Sequence, residues 1–296
     1  MIPEKAVVLT AGVDVQDNRL AISVWGWGRG EEGWLIDHQE IYGDPGGSEL
    51  WKQLDQLLIR PFRHELGNKF KPDVIAVDSG GHFTSEVYAY TRDRRKYGVV
   101  AIKGSSIKNQ IPISKGKKLD LNWKGRTIKK GAELFTVGTD TIKTTLFSRL
   151  RHNDEGAGYL HFNINADEEY FKQLTAEKQV IRYVKGFPVR EWVKKSSARN
   201  EALDTLVYAY AGLHRLYQKR DRRTIWDNYE ERGRIKGKIK DDKTYLDDIR
   251  YKKKVEKPKN SIDYISQRTC CWSRYVTCSY GRYDYRWKIS VLSASI

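Results

Sequence analysis

The chain has 296 residues, of which 39% are hydrophobic and 31% charged, with a formal net charge of +16. That length can bury a substantial core, and no apolar run approaches the roughly 18 residues of a membrane span. The opening MIPEKAVVL lacks the basic-then-apolar layout of a signal peptide, and Cys270, Cys271 and Cys278 form no CxxC pair, which argues against a zinc site and leaves the body without a disulfide framework; a cytoplasmic protein is expected.

In chain order, Val7, Val8, Leu9 and Val13 form a β-rich approach to Asp14, and Gln16-Asp17-Asn18 reads as a turn. Leu20, Ile22, Val24 and Trp25 resume in alternation as a second strand, and Gly33 to Tyr42 reads as a third. Ser48 heads a helix expected from Glu49 to about His64, on the spacing of Leu50, Leu54, Leu57 and Leu58. A fourth strand ends in Asp78, followed by Ser79-Gly80-Gly81-His82. A helix from Thr84 to Tyr97 stops at Gly98, and Val99 to Ile102 is a fifth strand.

Residues 103–130 are expected to be a long loop or β-excursion, with a possible strand at Leu134 to Val137. A helix follows through Leu150, then a short strand at Tyr159 to Phe162 and a helix over Glu168 to Glu177. Val180–Lys185 and Pro188–Lys194 make a hairpin around Gly186-Phe187. Asn200 to Tyr217 is the clearest late helix, with Leu203, Leu206, Val207, Tyr210, Leu213 and Tyr217 along one stripe.

The positive charge is concentrated. Lys103 to Lys130 holds nine Lys/Arg against one Asp, Arg215 to Lys259 holds seventeen against nine Asp/Glu, and the remainder is balanced. Two basic segments on a neutral body fit a polyanion, and double-stranded DNA is the expected partner; neither segment has the broad apolar face of a membrane-binding helix.

Three acids stand where a strand or helix would otherwise carry an apolar or solvent-facing residue. Asp14 ends the first strand, Asp78 ends the fourth, and Asp204 borders the buried stripe of the Asn200 helix, one turn after Glu201. Each alone is an ordinary strand-end or helix-start acid. In this order, on these elements, they match the layout of ribonuclease-H-like nucleases. Grouped carboxylates repel unless cations bridge them, and two hard divalent ions, Mg²⁺ or Mn²⁺, would suit an all-oxygen donor set and in-line phosphodiester hydrolysis. The fold expected is α/β, a ribonuclease-H-like mixed sheet flanked by helices over 1–218, with the first three strands antiparallel neighbours and the first and fourth side by side and parallel. A basic charged tail is expected over 219–260, and 261–296, with its cysteines, tyrosines and tryptophans, has no assignable role.

The stretches TAGVDVQDNRLAISVWGWG, VDSGGH, Ile102-Lys103-Gly104, VGTDTIK, QLTAEKQV and RNEALDTLVYAYA resemble, in matching order over about Pro3 to Leu216, the nuclease domain of the lambda-type phage terminase large subunit. The resemblance implies an endonuclease that cuts concatemeric viral DNA during packaging in a bacterial host cell, with a small terminase subunit and a portal as partners. By position, Asp14, Asp78 and Asp204 match the family's metal-binding acids. Glu201 is a further candidate ligand, Lys103, Lys115, Lys117 and Lys118 are candidate DNA contacts, and His82 is an accessory candidate. No GxxxxGK[ST] phosphate loop is present, so the ATPase motor is expected on a separate chain or domain. The competing readings are another ribonuclease-H-like nuclease or recombinase, and a non-catalytic DNA-binding prophage remnant. An actin-like ATPase is disfavoured because Val15 to Arg19 supplies no Gly- and Thr-rich phosphate loop.

Overall fold

The computed structural model describes residues 1–234 except 124, 222 and 223. The strands are β1 Val8–Val15, β2 Arg19–Trp27, β3 Gly33–Tyr42, β4 Phe62–Arg63, β5 Lys69–Phe70, β6 Val74–Asp78, β7 Val99–Gly104, β8 Lys117–Trp123, β9 Arg126–Val137, β10 Leu160–His161, β11 Glu177–Val184 and β12 Phe187–Lys194. The α-helices are α1 Glu49–Ile59, α2 Thr84–Arg94, α3 Thr139–Arg149, α4 Glu168–Leu174, α5 Glu201–Tyr217 and α6 Ile225–Arg234.

Eight strands form one mixed sheet in the order β10-β3-β2-β1-β6-β7-β9-β8. β1, β2 and β3 are antiparallel neighbours, as two short connections require. The turn at Gln16 is closed by its N–H donating to the Arg19 carbonyl at 3.0 Å. The chain then crosses through α1 and lays β6 parallel to β1, and through α2 to lay β7 parallel to β6. The central strands are apolar on both faces because helices cover both. Leu9, Ala11, Val13, Ile75 and Val77 pack with α1 and α2, while Val74, Ala76, Val100 and Ile102 pack with α3, α4 and α5.

Several boundaries differ from the sequence expectation. α1 stops at Ile59, short of His64, because Arg60 precedes Pro61 and takes an extended ψ of 122°. The helix after Glu168 ends at Leu174, which frees Glu177 to open β11. The 103–130 segment is a β-excursion: β8 pairs antiparallel with a long β9, itself parallel to β7, at one edge of the sheet. The helix expected from Thr84 to Tyr97 ends at Arg94 and continues as a 3-10 turn over Arg95–Tyr97; Gly98 closes that turn at φ 84°, where a Cβ would lie 2.4 Å from the Asp73 carbonyl oxygen, so glycine is required at the entry to β7.

The ordered fold also runs past 218. Ile225 and Tyr229 of α6 are buried in the same core as α5. Arg29 ties α6 to the loop after β2 through Asp227 at 2.5 Å and Glu230 at 2.9 Å. The rest of the tail expected over 219–260, and all of 261–296, lie outside the described residues. Among the described residues no helix is long and apolar enough to cross a membrane.

Candidate active site

The three acids converge at one end of the sheet. Val13 and Val77 are register partners in the parallel β1–β6 pair, so Asp14 and Asp78 follow on adjacent strands, on one face and about 5 Å apart at the backbone. That face is the one α5 covers. Gly12, two residues earlier on the same face, lets the helix approach: a Cβ there would sit 1.9 Å from the Thr205 carbonyl oxygen. Thr10 accompanies it, its hydroxyl donating to the Ala209 carbonyl at 2.8 Å. The close docking of α5 on β1 brings Asp204, the neighbour of Thr205, to the level of Asp14.

The electrostatics follow from that crowding. Asp14 is 4% exposed, and its pKa is pushed up to about 8 by burial first and then by Asp204, Asp78 and Glu201, against a hydrogen bond from Gln16. The Gln16 amide donates to Asp14 Oδ2 at 2.5 Å. Asp204 is raised to about 6 by burial, with Lys143 pulling down and Glu177 and Asp78 pushing up. Asp78 is also raised by burial; the Gly80 and Ser79 N–H groups and Lys103 oppose the shift. Burial is the first cause of all three shifts, and neighbouring acids add to those of Asp14 and Asp204.

Other expected site residues are placed less centrally. Glu201 is buried, but Arg19 donates to one oxygen at 2.6 Å and Arg199 takes the other. Lys103 follows Ile102, the register partner of Asp78, and is exposed at the rim. Lys117 and Lys118 begin the edge strand β8 and Lys115 precedes it, all exposed. His82 is also exposed, with Nδ1 2.9 Å from Asp17 Oδ1 at the β1–β2 turn.

The structure adds two residues that the sequence reading does not single out. Lys143 of α3 reaches Glu177 at 2.7 Å and Asp204 at 3.3 Å, with its side chain 12% exposed. Glu177 is 7% exposed and also accepts from Asn200 at 2.8 Å, while Asn200 donates equally to Asp204 Oδ2 at 2.8 Å. Both lie inside the motifs VGTDTIK and QLTAEKQV, which is the signal that could have found them.

The donor set is all-carboxylate and underneutralised, which suits a hard divalent ion. As the side chains stand, no group of three or more His, Cys, Asp or Glu among the described residues is arranged to hold one. The Asp204 oxygens meet Lys143 and Asn200. At the other end of the parallel strands, away from the acids, a broad groove of about 810 Å³ is lined by Arg92, Arg95, Lys96, Lys129, Lys130 and Lys219 among others.

A family model described as "Terminase large subunit gpA, endonuclease domain" matches residues 1–224. The chain is 35% identical over 219 residues to the large terminase subunit of Escherichia phage lambda, covering 72% of this chain and 33% of that protein. It is 34% identical over 221 residues to the large terminase subunit of Enterobacteria phage P21, covering 72% and 33%. The chain thus spans about a third of the length of these curated relatives. No solved structure matches it.

Proposed function

The chain belongs to the endonuclease-domain family of the gpA-type phage terminase large subunit, and from that premise we propose that it hydrolyses DNA phosphodiesters with two divalent metal ions held by Asp14, Asp78 and Asp204. The observation that carries the reading is the arrival of these three buried or part-buried acids, from two parallel strand ends and one helix, at one end of the sheet. The ribonuclease-H-like assignment belongs to the same proposal, supported by the antiparallel β1–β2–β3 entry, the parallel β6 and the crossing α5.

Bound among the acids, Mg²⁺ or Mn²⁺ would neutralise the scissile phosphate and activate the attacking water. The protein's own groups do the rest. Asp14 and Asp78 are fixed by strand register, and Asp204 by the close seat of α5 on Gly12. Arg19 and Arg199 bind Glu201 and anchor it at the start of α5. Lys103, at the rim beside Asp78, and Lys115, Lys117 and Lys118 on the sheet edge supply charge for the DNA backbone. Double-stranded concatemeric viral DNA is the proposed substrate, with a small terminase subunit, a portal and an ATPase motor as partners in packaging.

The test is plasmid nicking with Mn²⁺, Mg²⁺ or EDTA. The parent should cut only with metal, and Asp204→Asn should lose at least about a hundredfold in rate. In EDTA the variant should melt no lower than the parent, since it removes a carboxylate that its surroundings disfavour. An Asn variant cutting at the parent rate takes Asp204 out of the site.

A further inference from the structure

Lys143 is the most enclosed of the cations that meet the acid cluster among the described residues. It projects from α3 with its side chain 12% exposed, between Glu177 at 2.7 Å and Asp204 at 3.3 Å. The Asn200 side-chain amide donates to the same two carboxylates at 2.8 Å each, sharing Glu177 Oε1 with Lys143. Glu177, Asp204, Lys143 and Asn200 therefore form a closed set in which two acids from different elements converge on one positive charge. A buried ammonium so placed offsets the repulsion that those acids would otherwise feel. It also sits where further oxygen ligands would complete a cation site, because one oxygen of each acid is directed at it.

We propose that Lys143 acts as a built-in counter-ion that competes with a divalent cation for the space between Asp204 and Glu177, and that Glu177 is a fourth carboxylate of the site. This rests on the metal-dependent reading above and deepens it. In the metal-free protein the ammonium keeps Asp204 and Glu177 together. A divalent ion bound between Asp204 and Glu177 would have to displace the Lys143 ammonium from both carboxylates.

The experiment is Mn²⁺ binding by calorimetry and by the loss of free Mn²⁺ paramagnetic signal, on the parent, Lys143→Met and Glu177→Gln. Removing a positive charge this close to the ion's place should tighten Mn²⁺ binding by at least about tenfold in Lys143→Met. The same variant should melt lower than the parent in EDTA and show the larger upward shift on adding Mn²⁺. Glu177→Gln should bind Mn²⁺ more weakly than the parent. Should Lys143→Met fail to fold without metal, the double variant Lys143→Met/Glu177→Gln removes the charge pair together and is compared with Glu177→Gln; tighter binding in the double supports the competition. Parent-like or weaker Mn²⁺ affinity on removing Lys143 overturns it, including the case where only DNA affinity drops and Lys143 is a phosphate contact. Parent and Lys143→Met proteins that both fail to bind Mn²⁺ overturn the metal reading and the competition with it.

Discussion

At the scale of single residues, Asp14 is the group whose chemistry most clearly opposes its own placement. Its pKa in the folded chain, about 8, lies far above the roughly 3.9 of an unfolded aspartate. The native state therefore holds a proton that the unfolded state has released. Stability from this group is fully present below about pH 4 and is lost as pH rises through about 8. Asp204, at about 6, acts in the same direction over the lower part of that window. In EDTA the melting temperature should fall as pH is raised from about 5 to about 8.5, and Asp14→Asn should flatten the fall and melt higher than the parent at the alkaline end. Saturating Mn²⁺ should remove most of the slope in the parent. Parallel melting curves for parent and variant across that pH range would show that Asp14 is not the cause.

Among the elements, the seat of α5 on β1 decides whether the acids meet. Gly12→Ala places a Cβ 1.9 Å from the Thr205 carbonyl oxygen, which is helix backbone and cannot turn aside. The helix must lift, at a cost of about 1–3 kcal/mol, and Asp204 lifts with it. Denaturant unfolding should register the loss, and nicking should fall far more than the folded fraction does. On the opposite face, α1 and α2 are joined by a buried pair in which Arg94 donates to both oxygens of Asp55 at 2.6 Å, with the Tyr90 hydroxyl on Asp55 at 2.9 Å. Arg94→Met removes the cation that faces the buried Asp55 carboxylate and should destabilise by about 3–5 kcal/mol. Because the sheet lies between this pair and the acids, Mn²⁺ affinity of the folded protein should be unchanged in that variant. A parallel loss of metal affinity would mean the two faces are coupled.

For the molecule as a whole, the distribution of positive charge matters more than its total. Lys103 follows the register partner of Asp78, Lys115, Lys117 and Lys118 lie along the outer β8 edge, and Arg92, Arg95, Lys96, Lys129, Lys130 and Lys219 line the groove at the far end. Duplex affinity should be mainly electrostatic, with log affinity falling linearly against log salt. Replacing Lys115, Lys117 and Lys118 with Gln should flatten that slope by up to about 2.7, near 0.9 for each phosphate no longer neutralised. Fluorescence anisotropy on a labelled duplex across a salt series reads this directly. An unchanged slope means the β8 edge does not touch phosphate.

What the sequence alone determined is local or periodic. Alternation in Leu20 to Trp25 and the full run Gly33 to Tyr42 marked β2 and β3, the stripe from Leu203 to Tyr217 marked α5, and Gly98 marked the end of a helix. Asp14, Asp78 and Asp204 were visible because an acid at a strand end or beside a buried stripe breaks the expected pattern. The early stop of α1 was also written locally, in Arg60-Pro61. Only tertiary structure decided the rest. Lys143 meets Glu177 across 34 residues, and Arg19 meets Glu201 across 182, so no spacing rule connects them. α6 carries a mostly polar sequence, and it docks through buried Ile225 and Tyr229, part-buried Trp226 and the Arg29 ion pairs once α5 and the sheet have built the surface that receives it. Gly12 reads as one small residue in a strand until the backbone of α5 lies against it. Periodicity reports what a segment can bury, whereas the partner of a buried charge and the closeness of two backbones exist only after the segments have packed.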